Sequence, residues 1–273
     1  MGIELFFLGT GGAVGTAERD NTSFVIRRKK ALFLVECPGG VLPKLGRMDL
    51  DSKNVEGLFI SHTHPDHVYG LPSFVHSHYD TPRTVPLFGS PETVEFCRGL
   101  LEYFHLFRDK ILYRPELIPL TPSKPITVFE DLSVTAVPVP HASSSAAFLF
   151  NFIKEDMRLL YSGDTPPFSP LLKEAGRVDV LIHDCSFPSR FLAERPELKT
   201  MHTDALSLGR IASDAGVKIL VPCHLFSDFG YSVGEIEEEI RRNYTGTLII
   251  PSDMEMISLS GSFDECGEEL KTP

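Results

Sequence analysis

Ser61-His62-Thr63-His64-Pro65-Asp66-His67 follows directly on Gly57–Ser61, a short apolar run that reads as a buried strand. Three imidazoles and a carboxylate packed so closely form a donor set suited to zinc, iron or manganese. Side chains alternating on a strand end can point one way, and a following turn can redirect the next pair. Pro65 discourages any regular element from running through the stretch. A histidine-rich surface loop is the plainer reading of such a run. It is disfavoured by what lies downstream.

Three further polar residues stand just beyond apolar strands: His141 after Val134–Pro140, Asp164 after Leu159–Ser162, and His224 after Ile219–Cys223. A single histidine or aspartate is usually structural. Recurrence of one placement, a metal-binding group immediately past a strand, implies that the strands deliver their ends to one edge and form a cleft there.

The whole chain sets the frame. Its 273 residues can bury a substantial core, and 42% hydrophobic with 23% charged residues is ordinary globular composition. With 26 basic against 37 acidic residues the formal charge is −11, which disfavours a broad nucleic-acid footprint. Cys37, Cys97, Cys185, Cys223 and Cys266 are scattered and contain no Cys-x-x-Cys pair, so neither a disulfide framework nor a cysteine zinc cluster is expected. The amino terminus reads as a first strand and no stretch is apolar enough to span a membrane, which makes the cytoplasm the default compartment. A homodimer is compatible with the sequence but not required by it.

Ile3–Leu8, Ser23–Arg27 and Ala31–Val35 are expected strands, with Arg27-Arg28-Lys29-Lys30 as a hairpin tip. Ser90-Pro91 opens a helix to about Phe107 that includes His105, read as structural. Strands follow at Leu132–Val139, Ala146–Ile153 and Arg158–Tyr161. A serine-capped helix runs from Ser169-Pro170 to Gly176, with a strand at Asp179–His183 and a helix over Thr203–Ala215 that stops at Gly216. After the strand Lys218–Cys223, Ser232–Tyr244 begins with a Ser232/Glu235 capping box. Leu248–Ile250 and Glu255–Leu259 complete the core, and the polar tail beyond Gly261 is expected to fray. This order predicts a single layered α/β domain over residues 1–273.

Taken together, the Gly9-Thr10-Gly11-Gly12 loop, His62-x-His64-x-Asp66-His67, His141, Asp164 and His224 resemble the metallo-β-lactamase superfamily along nearly the whole chain. The resemblance implies a four-layer αββα sandwich and two divalent metal ions, zinc foremost, with manganese or iron acceptable. It implies that His62, His64 and His141 bind one ion, Asp66, His67 and His224 the second, and that Asp164 bridges. Asp66 then counts among the catalytic residues. Histidine at position 64 fits the hydrolases; the flavodiiron oxidoreductases of this fold usually carry glutamate there.

A narrower similarity joins the chain to the ribonuclease Z group and to PhnP-like phosphodiesterases. It rests on Glu18-Arg19-Asp20-Asn21-Thr22-Ser23, on His183-Asp184-Cys185-Ser186 and on Met201-His202-Thr203. Glu36, in Val-Glu-Cys-Pro, departs from the Asp-Cys-Gly common in that group and bears on how the metal histidines are supported. The function implied is hydrolysis of a small, cyclic or linear, phosphodiester through two-metal activation of water, with His202 as general acid oriented by Asp184. Ser143, Ser144 and His76 are candidate substrate contacts.

Three alternatives stand beside it: a tRNA 3′-end endonuclease, a hydrolase of carboxylic esters, lactones or thioesters, and a non-catalytic scaffold with a degenerate site, which the full set of expected ligands disfavours. The tRNA-processing members carry a long Gly/Pro-rich arm between the positions of His141 and Asp164. Here residues 142–163 read as little more than a hairpin, which leaves no room for that arm.

Overall fold

The computed structural model describes residues 2–259; the expected fraying beyond Gly261, and Cys266, lie outside the described residues. Among these residues two seven-stranded sheets face each other. The first is built from β1 (Ile3–Gly9), β2 (Ser23–Arg28), β3 (Ala31–Val35), β4 (Val55–Phe59), β5 (Arg83–Gly89) and β6 (Tyr113–Pro119), in that order. The second holds β7 (Ile126–Phe129), β8 (Leu132–Pro138), β9 (Ala146–Phe152), β10 (Met157–Tyr161), β11 (Val180–Asp184), β12 (Ile219–Cys223) and β13 (Thr247–Leu248). The last strand, β14 (Glu255–Leu259), returns to pair antiparallel with β1 and closes the first sheet.

Strand periodicity dictates the layers. Along β1, Ile3, Leu5 and Phe7 face the other sheet while Phe6 and Leu8 face outward, and both sets are buried. The inter-sheet layer is aromatic, with Phe24, Phe59, Phe148, Phe150 and Tyr161 in edge and stacked contacts 4.8–5.6 Å between centroids. Outside the first sheet pack α1 (Val41–Arg47), the single turn α2 (Pro65–Val68), α3 (Leu71–Ser77) and α4 (Pro91–Tyr103). Outside the second pack α5 (Ser169–Ala175), α7 (Ala205–Asp214) and α8 (Val233–Arg241), with the short α6 (Phe191–Glu194) beside them in a smaller aromatic cluster. Helix, sheet, sheet, helix: this is the αββα sandwich. No helix among the described residues is long and apolar enough to cross a membrane.

Several local expectations need correction. The fourth helix stops at Tyr103 rather than Phe107, because His105 turns into the left-handed region (φ 57°) and Leu106 N–H returns to Leu101 O at 2.9 Å. His105 therefore terminates the helix instead of lying on it. Ser169 does not cap α5; Phe168 occupies that position and no side chain accepts there. At α7 the cap is Asp204, accepting from Ser207 N–H at 2.9 Å, while Thr203 donates its hydroxyl to Thr165 O at 2.8 Å. The Ser90 cap and the Ser232/Glu235 capping box form as expected.

The basic run is a hairpin tip only at Lys29 and Lys30. Arg28 is the last residue of β2, its side chain 2% exposed, and it fastens one sheet to the other through Asp131 at 2.6 and 2.8 Å and Glu155 at 2.8 Å. That hydrogen-bonded guanidinium holds the Asp131 carboxyl well below its ordinary range. A depressed carboxyl stabilises the fold above the unfolded value of about 3.9 and loses that contribution as pH falls through the folded value. Arg28→Ala is accordingly expected to lower the denaturant midpoint of the metal-stripped protein at neutral pH. It should also flatten the fall in midpoint between roughly pH 4.5 and pH 2.5, where the Asp131 contribution is being lost. Urea titrations at both pH values check this; equal slopes in the two proteins would contradict it.

Candidate active site

Strand direction gathers the chemistry at one edge. Both β8 and β10 run antiparallel to β9, so their carboxyl ends emerge together, and β11 and β12 run parallel to β10. Those ends release His141, Asp164, Asp184 and His224 in turn. In the facing sheet β4 releases the histidine stretch, and the edges are joined where Ala146 N–H donates to Ser61 O at 3.0 Å. Pro65 opens α2 with His64 at its cap, which swings Asp66 and His67 inward while His62 and His64 remain on the extended segment. Gly163 takes φ 58° before Asp164, and a Cβ there would stand 3.0 Å from the Ser61 Cβ. Only a glycine turns the chain at so close an approach.

Two clusters sharing Asp164 result, each with its donor atoms within 4.8 Å of one another: His62, His64, His141 and Asp164; and Asp66, His67, Asp164 and His224; a third group, Asp184, His202 and His224, meets the same distance beside them. Asp164 Oδ2 belongs to both. It lies 3.2 Å from His224 Nε2, 3.4 Å from His67 Nε2, 3.7 Å from His62 Nε2 and 3.8 Å from His141 Nε2. His64 Nδ1 stands 3.0 Å from His62 Nε2 and 3.1 Å from His141 Nε2. The first cluster opens to solvent on the His64 side; the second is buried.

Such convergence is costly without a cation. Neither His67 nitrogen nor Asp164 Oδ1 has a hydrogen-bond partner, although all are buried, and buried polar atoms are rarely left so. Burial pushes His62 well below the usual imidazole range, and the neighbouring His67 adds to this. Burial alone would raise Asp164, but His224 and His67 outweigh it and hold the carboxyl well below its ordinary value. Neutral imidazoles around shared carboxylates are the donor chemistry that zinc and similar divalent ions take. The residues present fit such ions.

The supports of these imidazoles were not legible in the sequence. Ser61 Oγ is hydrogen-bonded to His62 Nδ1 at 2.9 Å, Met201 O accepts from His141 Nδ1 at 2.8 Å, and Ser186 Oγ lies 3.2 Å from His224 Nδ1. In each case one ring nitrogen is held from outside and the other is aimed at the cluster. Serines and main-chain carbonyls are too common for a pattern to single them out. Gly12 gives a further instance: its N–H donates to Leu225 O at 3.1 Å, and a Cβ there would come within 2.3 Å of the Phe226 ring beside His224.

Beside the clusters His202 Nδ1 donates to Asp184 Oδ2 at 2.9 Å. Asp184 also accepts from Ser186 Oγ at 2.7 Å and from Thr165 N–H at 3.1 Å, so its orientation is fixed. The His202 ring stacks on His224 with centroids 5.2 Å apart and lies 5.0 Å from His141. Burial opposes protonation of His202, but the Asp184 charge outweighs it and raises the imidazole above its usual value. The three candidate substrate contacts separate: Ser143 is exposed on the loop after His141, whereas Ser144 is buried with an unpartnered hydroxyl. His76 lies on α3, lining an open cleft of about 440 Å³ with Tyr69, Pro72 and Phe104.

Comparisons with known proteins agree with this geometry. Ribonuclease Z of Halobacterium salinarum is 26% identical over 291 residues, covering 86% of this chain and 91% of the relative. Among solved structures, the metallo-β-lactamase fold protein YhfI from Bacillus subtilis superposes with a TM-score of 0.77 at 19% identity, covering 94% and 100% of the two chains. The short form of human tRNase Z gives 0.74 at 18%, covering 94% and 99%. The fold is thus that of the metallo-β-lactamases, and the sequence is similar to ribonuclease Z. A family model described as "Anti-Pycsar protein Apyc1" matches residues 3–207, a span that takes in both clusters except His224 and also holds Asp184 and His202. On that match, the chain belongs to the Anti-Pycsar protein Apyc1 family.

Proposed function

We propose that the protein is a metal-dependent phosphodiesterase acting on a small, cyclic or linear, phosphodiester. His62, His64 and His141 would hold one divalent ion, Asp66, His67 and His224 a second, with Asp164 between them. When bound, such ions lower the pKa of water to about 7 and neutralise phosphoryl charge.

The observation that carries the reading is the Asp184–His202 pair standing against both clusters. Asp184 accepts a hydrogen bond from Nδ1–H, which leaves Nε2–H of a protonated His202 to donate to the departing ester oxygen. A hydrolase of activated acyl groups has less need for such a donor than one that expels an alkoxide from phosphorus. Ser143, exposed on the loop after His141, would accompany the phosphoryl oxygens. Asp66 would act through its ion, held anionic against burial by His224 and His67.

The hairpin supports a small substrate. His141 and Asp164 are joined through β9 and β10, paired from Phe152↔Met157 to Phe148↔Tyr161, with only a short turn between them. Nothing there extends from the body to grip a folded RNA. The tRNA 3′-end reading keeps one support, the ribonuclease Z relatives. Zinc- or manganese-loaded protein should hydrolyse cyclic nucleotides, cyclic ribose phosphates or linear diesters with higher kcat/KM than it cleaves precursor tRNA, and should leave lactones intact. Cleavage of precursor tRNA more efficiently than every small diester would replace this reading with the endonuclease.

A further inference from the structure

Three of the cluster imidazoles rest directly on neutral groups: a serine hydroxyl for His62 and His224, with Asp184 Oδ1 farther off at 4.0 Å from His224 Nδ1, and a main-chain carbonyl for His141. His67 differs. Its Nδ1 faces the Glu36 carboxylate, with Oε1 at 3.5 Å, and finds no hydrogen bond elsewhere. Both side chains are fully buried. We propose that Glu36 is the positioning residue of the second cation position: its carboxylate holds the Nδ1–H side of His67 and aims Nε2 at Asp66, Asp164 and His224.

The backbone shows how this glutamate is placed. Glu36 ends β3 in the left-handed region at φ 61°, where residues other than glycine are uncommon. Its own N–H donates to Phe59 O at 2.8 Å, and the following Cys37 N–H donates to His67 O at 2.8 Å. Gly70 N–H then returns to Cys37 O at 2.9 Å. The end of β3 and the turn α2 are therefore fastened through the main chain on both sides of the Glu36–His67 contact. The left-handed turn points the side chain between the sheets, and both carboxylate oxygens accept from Ser61 N–H at 3.3 Å.

Ser61 precedes His62 and bonds its Nδ1, so one carboxylate reaches segments that serve both clusters. The charge, however, falls on His67 alone. A carboxylate behind an imidazole fixes its tautomer and raises its basicity as a ligand, and loss of such a group typically costs about 10–100-fold in metal affinity. Length matters as well: from this left-handed backbone an aspartate would fall one carbon–carbon bond short of His67 Nδ1.

The inference rests on the two-cation reading of the site and not on the identity of the substrate, so the test reads metal alone. Chelator-stripped wild type, E36Q and E36D are titrated with Zn²⁺ against a chromophoric competitor, with near-ultraviolet circular dichroism as the check on folding. E36Q keeps size but lacks the charge. Its weaker Zn²⁺ site should lose about 10–100-fold in affinity while the other stays within about threefold of wild type. E36D should resemble E36Q rather than wild type. Wild-type affinity at both sites in E36Q, equal loss at both, full rescue by E36D, or collapse of the fold in E36Q would each overturn the proposal and make Glu36 an architectural carboxylate. A failure of every phosphodiester assay beside a selective loss of zinc would leave Glu36 in this role and remove only the substrate.

Discussion

Asp164→Asn is expected to lose tight metal binding at both positions together, and phosphodiester hydrolysis should fall by at least about 10³-fold. The reason is its double membership. One carboxylate oxygen stands between Nε2 atoms of four imidazoles from three different strand ends, at 3.2–3.8 Å. His64, His141 or His224 each serve one cluster, so their loss can leave the other partly formed. Removing the charge of Asp164 withdraws the anion around which both are arranged, and several kcal/mol of transition-state stabilisation goes with it. Elemental analysis of the purified variant, paired with turnover of the best small diester, measures both effects. Retention of a full metal complement would contradict the bridging geometry.

Substitution of His202 should act differently. His202→Ala is expected to retain both metals and to lower kcat by about 10²–10⁴-fold on an alkyl diester such as a cyclic nucleotide, the ordinary contribution of a positioned general acid. Nε2 of His202 is not among the nitrogens aimed at Asp164, and its Nδ1 proton belongs to Asp184. The loss should shrink on a p-nitrophenyl diester, because a stabilised phenolate departs without a proton. Asp184→Asn should reproduce part of the effect: the amide preserves size but not the charge that raises His202. An equal loss on alkyl and aryl esters would assign His202 to binding rather than to proton donation. Unchanged turnover on both would remove it from the chemistry.

These expectations depend on geometry that the sequence displays unevenly. The first sheet was half visible. β1–β3 are nearly continuous apolar and aromatic runs between turn formers, but β5 and β6 carry Pro86, Pro115 and Pro119, which argue against strands when read in isolation. The structure tolerates Pro86 because β5 pairs with β4 only at Leu58↔Leu87 and Phe59↔Phe88, so the ladder beside the proline is already open. Helix ends were likewise blurred, since a serine or threonine near a turn does not announce which of two adjacent residues will cap. Asp204 prevailed over Thr203 because Thr203 was already engaged by Thr165 O.

By itself the sequence determined the layered α/β class, the strand-end placement of His62, His64, Asp66, His67, His141, Asp164 and His224, and the pairing of Asp184 with His202 as a motif. The class and the strand-end placement are local, and hydrophobic period, residue type and position relative to an apolar run are enough to read them; the Asp184–His202 pairing came only through the family resemblance. Only the tertiary structure decided that Ser61, Ser186 and Met201 O hold the outer ring nitrogens, that Glu36 faces His67, and that Ser144 is buried while Ser143 is not. Each of those is a relation between segments far apart in the chain, fixed at ångström scale by the register of two facing sheets. No spacing along a single strand encodes it.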